Sequence, residues 1–173
     1  MPKKTAETTN KFKKGDSVVY PCHGVGKIIN IEKKNISGTI TEYYHIQFGG
    51  SDLCMQIPVT GGLRLRPVIK EKDIKNCLAF IKEKPKDVQD DWKKRFESNS
   101  VKIKDGSFTS IAMVVKELFI RNSIKALSAM ERRQYENAFN LLAEEISISG
   151  NFSPDEVKNI LSSSLDNLLP KLN

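Results

Sequence analysis

The sequence predicts an α+β chain in two parts: a small Tudor- or SH3-like β-barrel over residues 11–70, then an all-α bundle of about five helices over 71–173. Two observations carry that reading. Residues 12–58 are dense in β-branched and aromatic residues punctuated by Gly, Pro and Ser. From Glu71 onward the apolar spacing changes to that of helices, with cap signals between the stripes.

Turn chemistry bounds each strand. Ser17 to Tyr20 is stopped by Pro21, and Gly24 and Gly26 permit a tight turn or bulge. Val25 to Lys33 is the second strand, and Ser37-Gly38 marks the next turn. Tyr43 to Phe48 alternates, with Tyr44, Ile46 and Phe48 on one face and Tyr43, His45 and Gln47 on the other. After Gly49-Gly50, Leu53, Met55 and Ile57 face in, while Cys54, Gln56 and Pro58 face out. Leu65 to Ile69 is a candidate fifth strand. About 60 residues bury only a marginal core, so the barrel is expected to lean on the helical part.

The first helical stripe is Ile74, Cys77, Leu78 and Ile81, and Pro85 breaks the chain after it. Val88, Trp92, Phe96, Asn99 and Ile103 share one side of the second helix, which starts near 87–91 and is capped by Gly106. The third stripe is Phe108, Ile111, Ala112, Val115, Leu118 and Phe119. Ser128-x-x-Glu131 is a capping box opening a fourth helix, whose face is Tyr135, Ala138, Phe139, Leu142 and Ile146. Ser153-Pro154-Asp155-Glu156 opens the fifth, with Val157, Ile160, Leu161, Leu165 and Leu168 inward. Residues 1–10 are polar and expected to be disordered.

Composition narrows the function. The 39% apolar and 28% charged content is that of a soluble globular chain, and no apolar run approaches a membrane span. The N-terminus has lysines but no apolar segment, so it does not read as a secretory signal, and a cytoplasmic location is expected. Three widely spaced cysteines, Cys22, Cys54 and Cys77, form no CxxC pair, which argues against a disulfide framework or a metal site. Cys22-His23 pairs a potential nucleophile with a base, but neighbours on an extended chain point to opposite faces. With two histidines and no carboxylate–histidine constellation, the reading is of a non-enzyme with no cofactor and no small-molecule substrate. The net charge of +7 suits a polyanionic partner. Most of that excess lies in the first 70 residues, so any basic face in the helical half must be local.

Trp92, the single tryptophan, stands in DDWKKRF, followed by Lys93, Lys94 and Arg95. Periodicity makes it a core residue. An apolar side chain flanked by cations is also what a minor-groove wedge requires: the ring unstacks a base step while the cations hold phosphates. Arg132 and Arg133 lie in the first turn of the fourth helix, where free N–H groups suit phosphate, although Glu131 stands beside them.

These segments together resemble the CarD, or CdnL-like, family of bacterial transcription regulators. The family segment VGDxVVYPxHG is matched by KGDSVVYPCHG, Lys14 to Gly24, and IxxIExKxIxGxxxxYYxI by Ile28 to Ile46. DWKKRF, SIAMVVKELF and LSAMERRQYENAFNLLAEEI extend the match through the helices, so that it covers roughly Phe12 to Ile148. The barrel motif also occurs in transcription-repair coupling factors; the tryptophan helix followed by LSxxERR makes the match specific.

The resemblance implies that the Tudor-like part docks on the protrusion region of the RNA polymerase β subunit. The helical part then reaches promoter DNA at the upstream edge of the bubble, weakly and largely without sequence preference. Trp92 holds the wedge position, Lys94 and Arg95 match neighbouring basic positions, and Arg132 matches a DNA-contacting one. With Lys93 and Arg133 these form the expected DNA set. The expected polymerase set is Lys34, Tyr43, His45, Gln56 and Pro58. Gln56 and Lys34 stand where the family carries arginine, and Glu97 where it often carries lysine, so those contacts depart from the pattern. The alternative is a freestanding nucleic-acid binder with a KOW-like barrel. A monomer is expected in either case.

Overall fold

The computed structural model describes residues 12–36, 38–49, 54–60, 64–83 and 91–169. The expected disordered tail over 1–10 lies outside these residues, as do Ser37, Gly50, Leu53, Pro85 and Val88. The strands are β1 (Ser17–Tyr20), β2 (Gly24–Ile36), β3 (Thr39–Phe48), β4 (Cys54–Pro58) and β5 (Arg66–Pro67). They form one antiparallel sheet in the order β4-β3-β2-β1-β5. Val18, Ile28, Tyr44, Ile46, Phe48, Ile57, Val59 and Leu65 make its core. The second and third strands are longer than the sequence predicts, because their hairpin runs on in register to Ile36 opposite Thr39.

One irregularity in β2 decides which side chains share a face. The register shifts between Ile28 and Asn30, so Ile29 is an extra residue and the inward parity changes there. Before it Ile28 faces Ile46; after it Ile31 faces Tyr44. Asn30, Glu32 and Lys34 therefore lie on the outer side of the sheet, beside Tyr43 and His45.

A single 3-10 turn, Glu71–Asp73, leads into five helices: α1 (Ile74–Lys82), α2 (Trp92–Asp105), α3 (Phe108–Ile124), α4 (Ala129–Gly150) and α5 (Pro154–Asp166). The predicted caps hold. Gly106 ends α2 at φ 72°, and Ser128 with Glu131 and Ser153 with Glu156 close reciprocal capping boxes. Helix α3 is central: it buries the predicted stripe except Phe119, which is half-buried, and adds Val114, Ile120 and even Lys116. The Lys116 ammonium donates to the Phe80 carbonyl at 2.7 Å and lies over the Phe80 ring, and burial lowers its pKa. On α5, Ile160 turns outward and Ser164 takes the inner place, its hydroxyl donating to the Ile160 carbonyl.

The sheet packs on the bundle through polar groups of α4. Glu145, 2% exposed, accepts both guanidinium arms of Arg66, one of them at 2.7 Å, and the Ile69 N–H at 3.1 Å. Arg66 also donates from Nε to the Gly106 carbonyl at 2.7 Å. Its neighbour Glu144 accepts from the Val25 N–H at 3.1 Å. Gly24 has φ 82°, and a Cβ there would sit 2.2 Å from the Glu144 carboxylate, so a larger residue would block this approach. Pro21 meets Gly106 as closely: a Cβ on that glycine would come within 2.7 Å of the proline ring.

Glu145→Ala would strand the Arg66 fork and the Ile69 N–H at a buried seam. Chemical denaturation should show a loss of about 3 kcal/mol. A loss below about 0.5 kcal/mol would mean that the seam adds nothing to stability.

Candidate nucleic-acid interface

Helix α2 begins later than periodicity implies. Asp91 is its N-cap, with a carboxylate accepting from the Lys93 N–H at 2.9 Å and the Lys94 N–H at 3.3 Å. Trp92 is thus the first helical residue, and it is 51% exposed. The core placement that its spacing implies does not hold. On a helical wheel it does fall with Asn99 and Ile103, which are buried.

Among the described residues, the hydrogen bonds between α2 and α4 start about one turn past Trp92. Helices α2 and α4 run side by side in the same direction: Arg95 meets Glu131, and the Phe96 carbonyl and Ser100 hydroxyl meet the Gln134 amide at 3.2 and 3.0 Å. Glu131 lies in the first turn of α4, so the Arg95–Glu131 pair joins the first turns of the two helices. Trp92 projects beyond it. The Lys93 ammonium lies 5.9 Å from the centre of the indole ring, at the outer limit of a cation–π contact.

Arg95 departs from its expected role. It is 2% exposed, and both Nε (2.9 Å) and Nη2 donate to the Glu131 carboxylate. Its guanidinium is therefore not presented to a duplex. Glu131 also accepts from the Ser128 N–H at 3.2 Å and hydroxyl at 2.8 Å. Burial would raise the Glu131 pKa, but the hydrogen bonds from Arg95 and Ser128 and the Arg95 charge outweigh it and hold the carboxyl below the ordinary glutamate range. The acid that sequence places beside Arg132 and Arg133 is thus taken inward, while both arginines stay exposed. Lys93 and Lys94 are exposed as well. Four cations, two adjacent helix N-termini and one indole occupy the same end of the bundle. Glu97 is exposed one turn further along α2.

The five expected polymerase contacts also come together. Tyr43 pairs with Pro58 and His45 with Gln56, and Lys34 reaches across the same outer face to donate to Gln56 Oε1 at 2.7 Å. Glu32 completes the group: its carboxylate is 3.8 Å from Lys34 Nζ and 2.9 Å from His45 Nε2, though off the line of a good hydrogen bond to the ring. Cys22 and His23 diverge. The His23 ring stacks on Tyr20 with centroids 5.3 Å apart, while the Cys22 thiol points at the Ile103 carbonyl. Among the described residues no group of His, Cys, Asp and Glu is arranged to hold a metal ion, and no helix is long and apolar enough to cross a membrane.

Two family models match the chain: the CarD-like/TRCF RID domain over residues 12–69 and the CarD C-terminal domain over residues 76–162. The curated Bacillus subtilis (strain 168) protein described as "Putative transcription factor YdeB" is 32% identical over 149 residues, 85% of this chain and 97% of that protein. The chain belongs to the CarD family of transcription factors.

The depressed Glu131 pKa sets a sign for pH dependence. Its contribution to stability is fully present above the unfolded-state value of 4.5 and is lost as pH falls through the lower folded-state value. Glu144 acts in the opposite direction, because burial raises its pKa, and it is common to both proteins compared. Below about pH 4.5, wild type should therefore lose stability more steeply than Glu131→Gln. Parallel acid-denaturation curves would contradict the role given to this carboxylate.

Proposed function

We propose that this protein regulates transcription by stabilising the promoter open complex, docked on the protrusion region of the RNA polymerase β subunit. The outer face of β2, β3 and β4, carrying Lys34, Tyr43, His45, Gln56 and Pro58, makes the polymerase contact. Trp92 enters the minor groove at the upstream edge of the bubble. The observation that carries the reading is the half-exposed indole on the first residue of α2, at an end of the bundle lined by Lys93, Lys94, Arg132 and Arg133.

The physics is differential binding. Open and closed promoter complexes are two states, and a protein that contacts the open form better shifts the balance by the difference, about tenfold per 1.4 kcal/mol. An indole in an unstacked step is compatible with the open form, where the strands at the bubble edge are already parting. Cations at two helix N-termini hold the phosphates on either side. Tethering through the sheet raises the local concentration, so weak DNA binding suffices. Minor-groove readout is degenerate, so little sequence preference is expected. None of these steps requires turnover or a cofactor.

Trp92→Ala tests the reading. The ring is exposed, so thermal stability should change by no more than about 0.5 kcal/mol. Binding to an isolated β-subunit protrusion fragment should be unchanged, while the lifetime of the open complex falls by about tenfold. Equal loss of both activities would assign Trp92 to folding. Tight, salt-sensitive binding to naked DNA without polymerase would favour the freestanding nucleic-acid binder.

A further inference from the structure

The α2–α4 seam is polar where it meets the exposed indole. Its outermost layer is Arg95 with Glu131, and the next is Gln134 with the Phe96 carbonyl and Ser100. Both members of the outer layer are at least nine-tenths buried. Exchanging such an ion pair for apolar side chains of equal volume is often neutral or stabilising, so stability alone is a weak reason for one to be there. A planar guanidinium on a buried carboxylate does something an apolar contact does not: it fixes direction and register. Here the direction is that of the first turn of α2, three residues past Trp92.

We infer that the Arg95–Glu131 pair is a positioning device for Trp92. It rests on the reading of Trp92 as the DNA wedge. The Arg95–Glu131 layer lies in the first turn of α2, and a first helical turn frays readily unless side chains tie it down. Glu131 is itself immobilised, because Ser128 donates to it twice within the capping box. The carboxylate thus ties the first turn of α2 to the first turn of α4. One contact aligns the indole with the exposed Arg132 and Arg133, so ring and phosphate-binding cations meet the duplex as a unit. A wedge on a loose turn would have to be ordered on binding, and that ordering subtracts from its preference for the open complex.

The single tryptophan makes the idea measurable in the full-length protein. Glu131→Gln should lower the fluorescence anisotropy of Trp92 and raise its quenching by acrylamide. It should shorten the open-complex lifetime by about fivefold, in the range of coupling between contacting groups. Binding to the β-subunit fragment should not change. In a Trp92→Ala background Glu131→Gln should cost nothing more, since both act through one ring. Arg95→Lys keeps the charge and the capping box and loses the fork on Glu131; it should fall between wild type and Glu131→Gln, and it carries the test if Glu131→Gln does not fold. The control is Glu117→Gln, which removes the carboxylate that holds Lys102 at 2.7 and 2.8 Å further along α2. It should lower stability and leave the tryptophan signal and the lifetime alone.

Unchanged Trp92 fluorescence in the variant chosen, additive losses in the double mutant, or equal effects from Glu117→Gln would each overturn the inference. Should Trp92→Ala itself leave the open complex unaffected, the functional reading falls, and fluorescence still decides whether the pair positions the ring.

Discussion

The structure depends on a carboxylate that sits inside a seam between two folding units. Glu145 accepts a guanidinium fork from Arg66 and a backbone N–H from Ile69, and Glu144 beside it accepts from Val25. Adjacent helical residues point in different directions, so one turn of α4 reaches both the start of β2 and the strand that leads out of the sheet. A sheet of this size buries little on its own. Leaning on α4 offsets that. The same helix carries Glu131 in its first turn, about 20 Å away at 1.5 Å per residue. Helix α4 therefore fixes the separation between the outer sheet face and the indole. On the proposed function, that fixed span lets both surfaces be engaged at once.

Charge is sorted by the same packing. By composition the helical half is nearly neutral, yet one end of it is cationic. At that end Glu131 is drawn inward, although Asp91 and Glu97 stay exposed, and other acids of the helical half are paired as well. Glu131 faces Arg95, Glu117 faces Lys102 and Glu145 faces Arg66, while Lys93, Lys94, Arg132 and Arg133 remain at the surface. Internal pairing costs desolvation, which hydrogen bonds at short range offset. What remains outside is a field that the linear sequence conceals.

Much of the architecture was legible from local chemistry. The alternation of Tyr44, Ile46 and Phe48 predicts the inner face of β3, and all three are buried. Ser128 and Ser153 predict their helix starts because a capping box needs only residues three apart. Gly106 ends α2 because a left-handed residue there is cheapest as glycine. The outward set Tyr43, His45, Gln56 and Pro58 follows from the same two-residue period. Lys34 joins it only through the extra residue at Ile29, a shift of parity with no local signature.

The sequence by itself determined the classes of element, their caps and the family, and it named the candidate site residues, since each is written in neighbours a few positions apart. The tertiary structure alone decided what those residues face. Trp92 shares a side of its helix with the buried Asn99 and Ile103 and is nevertheless 51% exposed. Arg95 stands among surface lysines and is buried because Glu131, 36 positions along the chain, is waiting there. Exposure depends on what a second element places opposite, and a contact across that distance leaves no mark in periodicity.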